Sequence, residues 1–392
     1  MELLKSSYCN NYNIGVCSSC KLIASDYQSQ INFKFSELEQ LFTSLDSSTD
    51  KISNVKISDF VTLDQPLGSR YKAKFYVTGT TDGPVIGYAD ASGNIYDLVD
   101  CPLQTKLINK ILFDLKTELG VSRLPPYSIQ NRSGEVKGFH IKQSYSSNDV
   151  IIRLVLRSRD NFEDAVKVID KLVVLNPEIK IGTINIQPEH KAILEGVREE
   201  IVYKEGNDWI EEQIGGVNLM VSPQVFTQVT PYIANLLYLR VASWIKELKI
   251  TKVLDLYCGI GGFSLPSSLD IQSLSGYEIS AEAINCANRA LARYRTDSRA
   301  FYQLLDIDNE LENLTDSFDL AILNPPRRGV NDRVISFLNR VKYPYIIYSS
   351  CNAKTLVRDI KNLNSYSVQK IIPFDMFPFT THYETLVLLK AI

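Results

Sequence analysis

The sequence has no run of roughly 18 apolar residues, the length a membrane-spanning helix needs. Its first residues, Met1-Glu2-Leu3-Leu4-Lys5-Ser6, lack the basic start and apolar core of a secretory signal. Both absences point to a cytoplasmic chain. Histidine is scarce: His140, His190 and His382 are all there are, too few for a metal site built mainly from imidazole. There is no surplus of basic charge either, since 42 Lys and Arg stand against 45 Asp and Glu, for a net charge of −3. The usual footprint of a nucleic-acid binder is missing overall, although a local basic patch suffices for one. The cysteines number seven, and an odd count in a cytosolic setting disfavours a disulfide framework.

What remains is a folded chain of ordinary make-up. Its 392 residues, 45% hydrophobic and 22% charged, suggest two domains or three. Residues 1–22 form a cysteine-bearing loop. The spacing of Leu38, Leu41, Phe42 and Leu45 predicts a helix over 34–45, and the Ser- and Asp-rich stretch 43–54 reads as a connector. Short strands separated by Gly turns are expected over 70–100, in the segments RYKAKFYV, PVIGYAD and NIYDLV. An amphipathic helix at 103–119 follows, then strands at 136–143 and 150–157, a helix near 161–175, and extended segments at 181–187 and 200–204. This half is α+β. From about residue 217 strands alternate with helices, the signature of a doubly wound, mostly parallel α/β sheet. The expected division is 1–216 and 217–392, with residues 23–54 packing on the second unit.

In such a sheet ligands bind beyond the carboxyl ends of the strands, and the chemically suggestive residues cluster there. Asp255-Leu256-Tyr257-Cys258-Gly259-Ile260-Gly261-Gly262 closes a buried strand in a glycine-rich turn, and Gly259 and its neighbours let a ligand approach the backbone. The spacing is G-x-G-G, not the dinucleotide fingerprint. Glu278, sixteen residues beyond Gly262, ends the next strand, where a carboxylate can accept from both hydroxyls of a ribose. Together they favour an adenosine-containing cofactor. Asn324-Pro325-Pro326 ends the fourth strand in a rigid turn. Cys351, in Ser349-Ser350-Cys351-Asn352, follows the fifth strand as a candidate nucleophile. Glu384, in His382-Tyr383-Glu384, opens a last strand that is often antiparallel in such sheets and so begins at the same edge, as a candidate general base. Cys258 and Cys286 suit the bland role of small buried residues.

At the other end Cys9, Cys17 and Cys20 stand in a C-x7-C-x2-C pattern, and Cys101 lies in Asp100-Cys101-Pro102. Four thiolates complete either an iron–sulfur cluster or an all-cysteine zinc site. The residues alone do not separate these, nor exclude incidental loop cysteines.

With these residues in view, the chain resembles the uracil-C5 RNA methyltransferase family, and within it the branch acting on 23S ribosomal RNA. The likeness spans nearly the whole sequence. It is carried by the four N-terminal cysteines, Phe226-Thr227-Gln228-Val229, the 254–262 loop, Asn324-Pro325-Pro326-Arg327, Ser350-Cys351-Asn352 and His382-Tyr383-Glu384. The resemblance implies a Rossmann-like class I methyltransferase domain preceded by an α+β domain that binds RNA and an iron–sulfur cluster. It implies that Gln228, Tyr257, Glu278 and Asn324 contact S-adenosylmethionine, that Cys351 is the nucleophile and Glu384 the proton acceptor, and that Cys9, Cys17, Cys20 and Cys101 hold a [4Fe-4S] cluster. Ala353 replaces the proline that many relatives carry after Ser-Cys-Asn, as is usual in this branch. The small β-barrel RNA-binding (TRAM) domain of many relatives is expected to be absent. The implied partner is 23S rRNA, at a hairpin-loop uridine, and the implied state is a monomer that engages neither DNA nor membrane.

Two other readings compete. A methyltransferase acting on an exocyclic amino group also uses an N-P-P turn and needs no cysteine. An RNA-binding ribosome-assembly factor would need no cofactor. An iron–sulfur redox protein is disfavoured for want of a second cofactor motif. For RNA, the expected phosphate contacts are Arg70, Lys72 and Lys74, alternating along one strand face, and Arg327 and Arg328 beside the turn. Arg289, Arg293, Arg295 and Arg299 read as a solvated face.

Overall fold

A computed structural model describes residues 6, 8–49, 55–89, 93–122, 124–191, 194–196, 198–314 and 316–392. The N-terminal part runs α1 (Asn10–Asn13), α2 (Tyr27–Thr49), β1 (Lys72–Gly79), β2 (Pro84–Gly87), α3 (Lys106–Ser122), β3 (Val136–Gln143), β4 (Val150–Leu156), α4 (Phe162–Leu175), β5 (Ile179–Ile186) and β6 (Arg198–Lys204). Its strands form a six-stranded sheet in the order β2-β1-β3-β4-β5-β6. Only β4 and β5 are parallel, as a crossover through α4 requires. Alternation decides the two faces. Phe75, Val77, Phe139, Ile152 and Leu154 point to α3 and α4 and bury against Ile111, Leu112, Ile169 and Leu172. The opposite face carries Lys74, His140 and Arg153 side by side, with Lys72 beside Lys142 in the next row. Ile151 and Ile181 on that face join the core of the second body.

The expected strand at Asn94–Val99 does not form. The chain there makes one bridge, Ala89 to Ile95, and meets Ile86 through Leu98 N to Ile86 O at 2.8 Å and Ile86 N to Asp97 Oδ1 at 3.3 Å. It crosses over Gly87, where an added Cβ would stand 1.7 Å from the Tyr96 carbonyl oxygen; a ladder cannot continue through so close an approach.

The second body contains β7 (Ile210–Ile214), β8 (Val217–Val221), α5 (Pro231–Glu247), β9 (Lys252–Leu256), β10 (Ser273–Glu278), α6 (Ala281–Leu291), β11 (Ala300–Leu304), α7 (Ile307–Glu310), β12 (Leu320–Leu323), α8 (Asp332–Val341), β13 (Tyr345–Ser350), α9 (Ala353–Asn362), β14 (Tyr366–Phe374) and β15 (Glu384–Ala391). Seven strands align in the order β11-β10-β9-β12-β13-β15-β14. The first five are parallel, and β15 runs antiparallel to β13 and β14. Neighbouring residues along the central strands serve opposite cores: Val253, Leu274, Ile322 and Ile347 pack with α5 and α6, Leu254, Leu256, Leu323 and Tyr348 with α8 and α9. This two-sided burial is the doubly wound architecture.

Two boundaries differ from expectation. The expected division between 216 and 217 cuts the turn of the β7–β8 hairpin, whose Gly215 and Gly216 have φ of 62° and 80°. Such paired positive φ values are what a two-residue hairpin turn demands. Ile210, Ile214, Val217 and Leu219 bury together against α5, so the hairpin belongs wholly to the second body. Helix α2 starts earlier than the Leu periodicity suggests, and Leu38, Phe42 and Leu45 bury in the α8–α9 core. The following segment adds to the sheet edge, with Ser58 N and Val61 N donating to Ile371 O and Pro373 O. No helix among the described residues is long and apolar enough to cross a membrane.

Candidate active site

The carboxyl ends of β9, β10, β12 and β13 open into one cleft, enclosing about 1560 Å³ with its mouth. Gln228, Tyr257, Gly259, Glu278, Asn324, Cys351 and Glu384 all line it. The strand-to-loop turn after β9 is shaped by positive φ at Tyr257 (60°), Gly259 (54°) and Gly261 (86°). At Gly261 a Cβ would lie 2.7 Å from the Tyr302 hydroxyl oxygen, whereas at Gly259 it would meet nothing within 4 Å. Gly261 is thus required by packing, whereas Gly259 borders open space. Glu278 is fixed below that space, accepting from Gly259 N at 3.3 Å, Ile279 N at 2.9 Å and Ser280 N at 3.0 Å. Beneath the turn, Asp255 is fully buried and accepts from Ser264 Oγ at 2.5 Å. Burial pushes its carboxyl up to about 7. Tyr257 donates its hydroxyl to Asp308 at 2.8 Å, and Gln228 hydrogen-bonds the buried Tyr238 hydroxyl.

Across the cleft, Cys351 sits between the end of β13 and the start of α9. Asn352 caps that helix, its side chain accepting from Lys354 N, and donates to the Arg327 carbonyl at 3.1 Å. The cap therefore ties the cysteine to the Pro325-Pro326-Arg327 turn. Burial pushes the Cys351 thiol up to about 11, the Glu384 charge adds to the rise and Arg327 opposes it. Glu384 opens β15 one residue before Thr385, which pairs with Ser350. The antiparallel last strand thus brings it to the same edge. It is 2% exposed and accepts from Ser349 Oγ at 2.5 Å. Burial raises its carboxyl to about 7, with the Ser349 hydroxyl pulling the other way.

Cleft and N-terminal loop meet through one segment. Lys34 and Asp375 form a fully buried ion pair at 2.5 Å, and Lys34 also donates to Phe377 O at 3.1 Å. Phe377 and His382 line the cleft. Between them Phe379, at φ 63°, accepts from Leu22 N at 3.0 Å and packs with Cys9, Cys20 and Cys101. Those cysteines and Cys17 line a single cavity with Arg70. Burial pushes the Cys20 thiol up to about 12; Cys101 adds, Arg70 opposes, and Cys17 and Cys9 add again. Burial raises the Cys101 thiol as well. Among the described residues no three His, Cys, Asp or Glu side chains are grouped to hold a single metal ion.

The basic residues divide differently from expectation. Arg70 precedes β1 and turns into the cysteine cavity, hydrogen-bonded to Tyr88; it is not part of an exposed row. Lys72 and Lys74 do share a face. Arg327 meets His382 at 3.2 Å and Arg328 pairs with Asp308 at 2.7 Å. The 289–299 arginines pair with Asp208, Glu211 and Asp297.

The model of the tRNA (uracil-5-)-methyltransferase family matches residues 208–392. The 23S rRNA (uracil(747)-C(5))-methyltransferase RlmC of Xenorhabdus nematophila is 36% identical over 381 residues, covering 97% of this chain and 99% of the relative. The protein of the same name from Glaesserella parasuis is also 36% identical, covering 97% of each. This chain belongs to the uracil-C5 RNA methyltransferase family. The crystal structure of the Pyrococcus abyssi tRNA (uracil-54, C5)-methyltransferase, in complex with S-adenosyl-L-homocysteine, shares its fold. The TM-score is 0.77 at 23% identity, over 95% of this chain and 85% of that one. The family match beginning at 208 agrees with a hairpin that belongs to the catalytic body.

Four members of the site are not evident from sequence. Ser349 stands there only as a neighbour of Cys351, yet it holds Glu384. Asp306 and Asp308, after β11, line the cleft; an acidic pair at another strand's carboxyl end is the signal that could have found them. Phe377 reaches the cleft from an irregular loop that carries no period.

Proposed function

We propose that the chain methylates C5 of a uridine in 23S rRNA. One observation carries the reading: a cysteine and a buried carboxylate share a cleft with the Gly259 opening and the Glu278 carboxylate. The relatives' names support the RNA and the position, and uracil 747 is the first to test. Gln228, Tyr257, Gly259, Glu278 and Asn324 would hold S-adenosylmethionine, with Glu278 accepting from the ribose. When bound, that cofactor supplies an electrophilic methyl group to a carbon that is otherwise a poor nucleophile.

The protein's own part is to make C5 reactive and then restore the ring. Cys351 Sγ gives up its proton to solvent in the cleft and forms a bond to C6, and the displaced C5–C6 π pair moves toward the C4 carbonyl, making C5 an enolate carbon. Once C5 carries the methyl group, Glu384 takes the C5 proton. The pair left behind rebuilds the C5–C6 double bond, the C6–S bond breaks and the thiolate leaves. A carboxyl near 7 is matched to that task at neutral pH. The base must leave its stack to reach Cys351, which favours a hairpin-loop uridine.

Cys9, Cys17, Cys20 and Cys101 would hold a [4Fe-4S] cluster. The donor set fits: four thiols on one cavity, beside one arginine. Methyl transfer is redox-neutral, so the cluster's role is to tie the N-terminal loop to Phe379. Stoichiometric zinc without metal–sulfur absorbance would replace it by a zinc site. The function is tested by tritium release from 23S rRNA labelled at uridine C5. Release that requires S-adenosylmethionine is expected. Methyl incorporation without release would assign the reaction to another atom.

A further inference from the structure

The face of the six-stranded sheet turned away from α3 and α4 holds a second pocket. It is walled by the Pro223–Phe226 segment and floored by Lys72, Lys74, His140, Lys142 and Arg153. Most of these groups are engaged. Arg153 donates Nε to Glu199 at 2.7 Å. Lys142 donates to the carbonyls of Ser222, Pro223 and Val225 at 3.1, 2.7 and 2.6 Å. Lys74 pairs with Glu195. Lys72 donates to Thr227 O at 3.0 Å and lies 4.2 Å from the centre of the Phe226 ring.

His140 is the exception. Its Nδ1 stands 3.3 Å from Arg153 NH1. A guanidinium only donates, so Nδ1 accepts and the proton sits on Nε2. That Nε2 is buried and has no hydrogen-bond partner among the described residues, in a side chain 5% exposed. A buried donor left unpaired is costly. Burial and then the neighbouring cations lower the Lys72 ammonium to about 7 and hold Lys142 well below the usual lysine range. Glu195 and Glu199 are paired to Lys74 and Arg153, so the cluster is short of negative charge and an entering anion would restore charge to its lysines. Burial, Arg153 and the three lysines push the His140 imidazole down to about 2, so it stays a neutral donor.

We propose that this pocket takes a backbone phosphate of the substrate RNA, hydrogen-bonded by His140 Nε2 and flanked by Lys72 and Lys74. The inference rests on the uracil methyltransferase reading for the identity of the RNA. A phosphate suits the site, since the free group is a donor beside the Lys74 and Arg153 cations and phosphate oxygens are anionic and only accept. Phe226 lines both this pocket and the catalytic cleft, and Lys72 holds the carbonyl next to Gln228. The phosphate therefore belongs to a nucleotide adjoining the extruded uridine, and its capture fixes where the strand turns into the cleft.

The test uses a 23S rRNA hairpin fragment and two full-length variants, His140→Phe and Lys74→Gln. The second lies on the half-exposed rim, so folding is preserved even if the first is destabilised. S-adenosylmethionine affinity serves as the control for an intact cleft. Each variant is expected to bind the fragment roughly five- to tenfold more weakly, and Lys74→Gln to reduce the slope of log affinity against log salt by about 0.7–1. A methylphosphonate at one linkage beside the target uridine should weaken binding to the native protein and leave the His140→Phe affinity unchanged. Unchanged affinity and slope in both variants, with native tritium release intact, would overturn the phosphate pocket alone. A native protein that neither binds the fragment nor releases tritium would overturn the methyltransferase reading beneath it.

Discussion

Replacing Ser349 by alanine isolates the control of Glu384, the general base proposed above. The Ser349 hydroxyl donates to Glu384 Oε1 at 2.5 Å in a site closed to solvent. It stabilises the ionised carboxylate, so its loss must raise the carboxyl above its native value of about 7. A hydrogen bond to a charged group is worth about 1.5–3 kcal/mol, and 1.36 kcal/mol corresponds to about one pH unit. The midpoint of the Glu384 limb should therefore move to about 8–9. At pH 7 the ionised fraction would fall from about a half to about 1–10%, and tritium release would slow roughly 5- to 50-fold. Above about pH 9 most of the loss should vanish, because proton removal needs only the carboxylate form. The assay is tritium release in single turnover from pH 6 to 9.5, plotted as the ratio of variant to native. A ratio that stays flat across the range would refute the reasoning and leave Ser349 as a packing residue.

Glu384→Gln should stop tritium release while leaving Cys351 free to add, so a protein–RNA adduct resistant to denaturing gels should accumulate; Cys351→Ser should give neither adduct nor release. Gly261→Ala forces an L side chain to φ 86° with its Cβ 2.7 Å from the Tyr302 hydroxyl, and should cost about 1–3 kcal/mol, read as a lower denaturant midpoint and weaker binding of S-adenosylmethionine. Lys34→Met strands Asp375 as a lone buried charge and should destabilise by about 3–5 kcal/mol; the double variant with Asp375→Leu should recover much of this by the same measurement, and a double variant as unstable as the single would show that packing, not charge, is at stake.

Sequence legibility follows how local the cause is. Cys351 and Glu384 are readable because strand ends and an antiparallel last strand dictate where residues emerge. Glu278 is readable as a cleft residue because it ends a parallel strand whose carboxyl end opens on the same edge as the glycine turn. Ser349 is hidden because its partner lies 35 residues away and only the β13–β15 register joins them. Arg70 leaves its expected row because alternation gives a side chain's face, not whether thiols wait on that face. The segment Asn94–Val99 has the alternation of a strand, but a close crossing at Gly87 denies it a ladder. The hairpin boundary is hidden because a shift in composition near 217 does not coincide with a shift in packing.

The Phe379 junction changes what a specific activity would measure. One residue touches the cysteine cavity, while its neighbours on the same loop line the cleft and are clamped by a buried ion pair. The strand pairings of the seven-stranded sheet do not involve the cysteine loop. A preparation damaged at its thiols would therefore keep the helical and strand signals of the larger body, while presenting a cleft with Phe377 and His382 out of position. Turnover per mole would then count the fraction of molecules with an intact N-terminal loop, and active-site titration rather than protein concentration becomes the proper denominator for comparing variants.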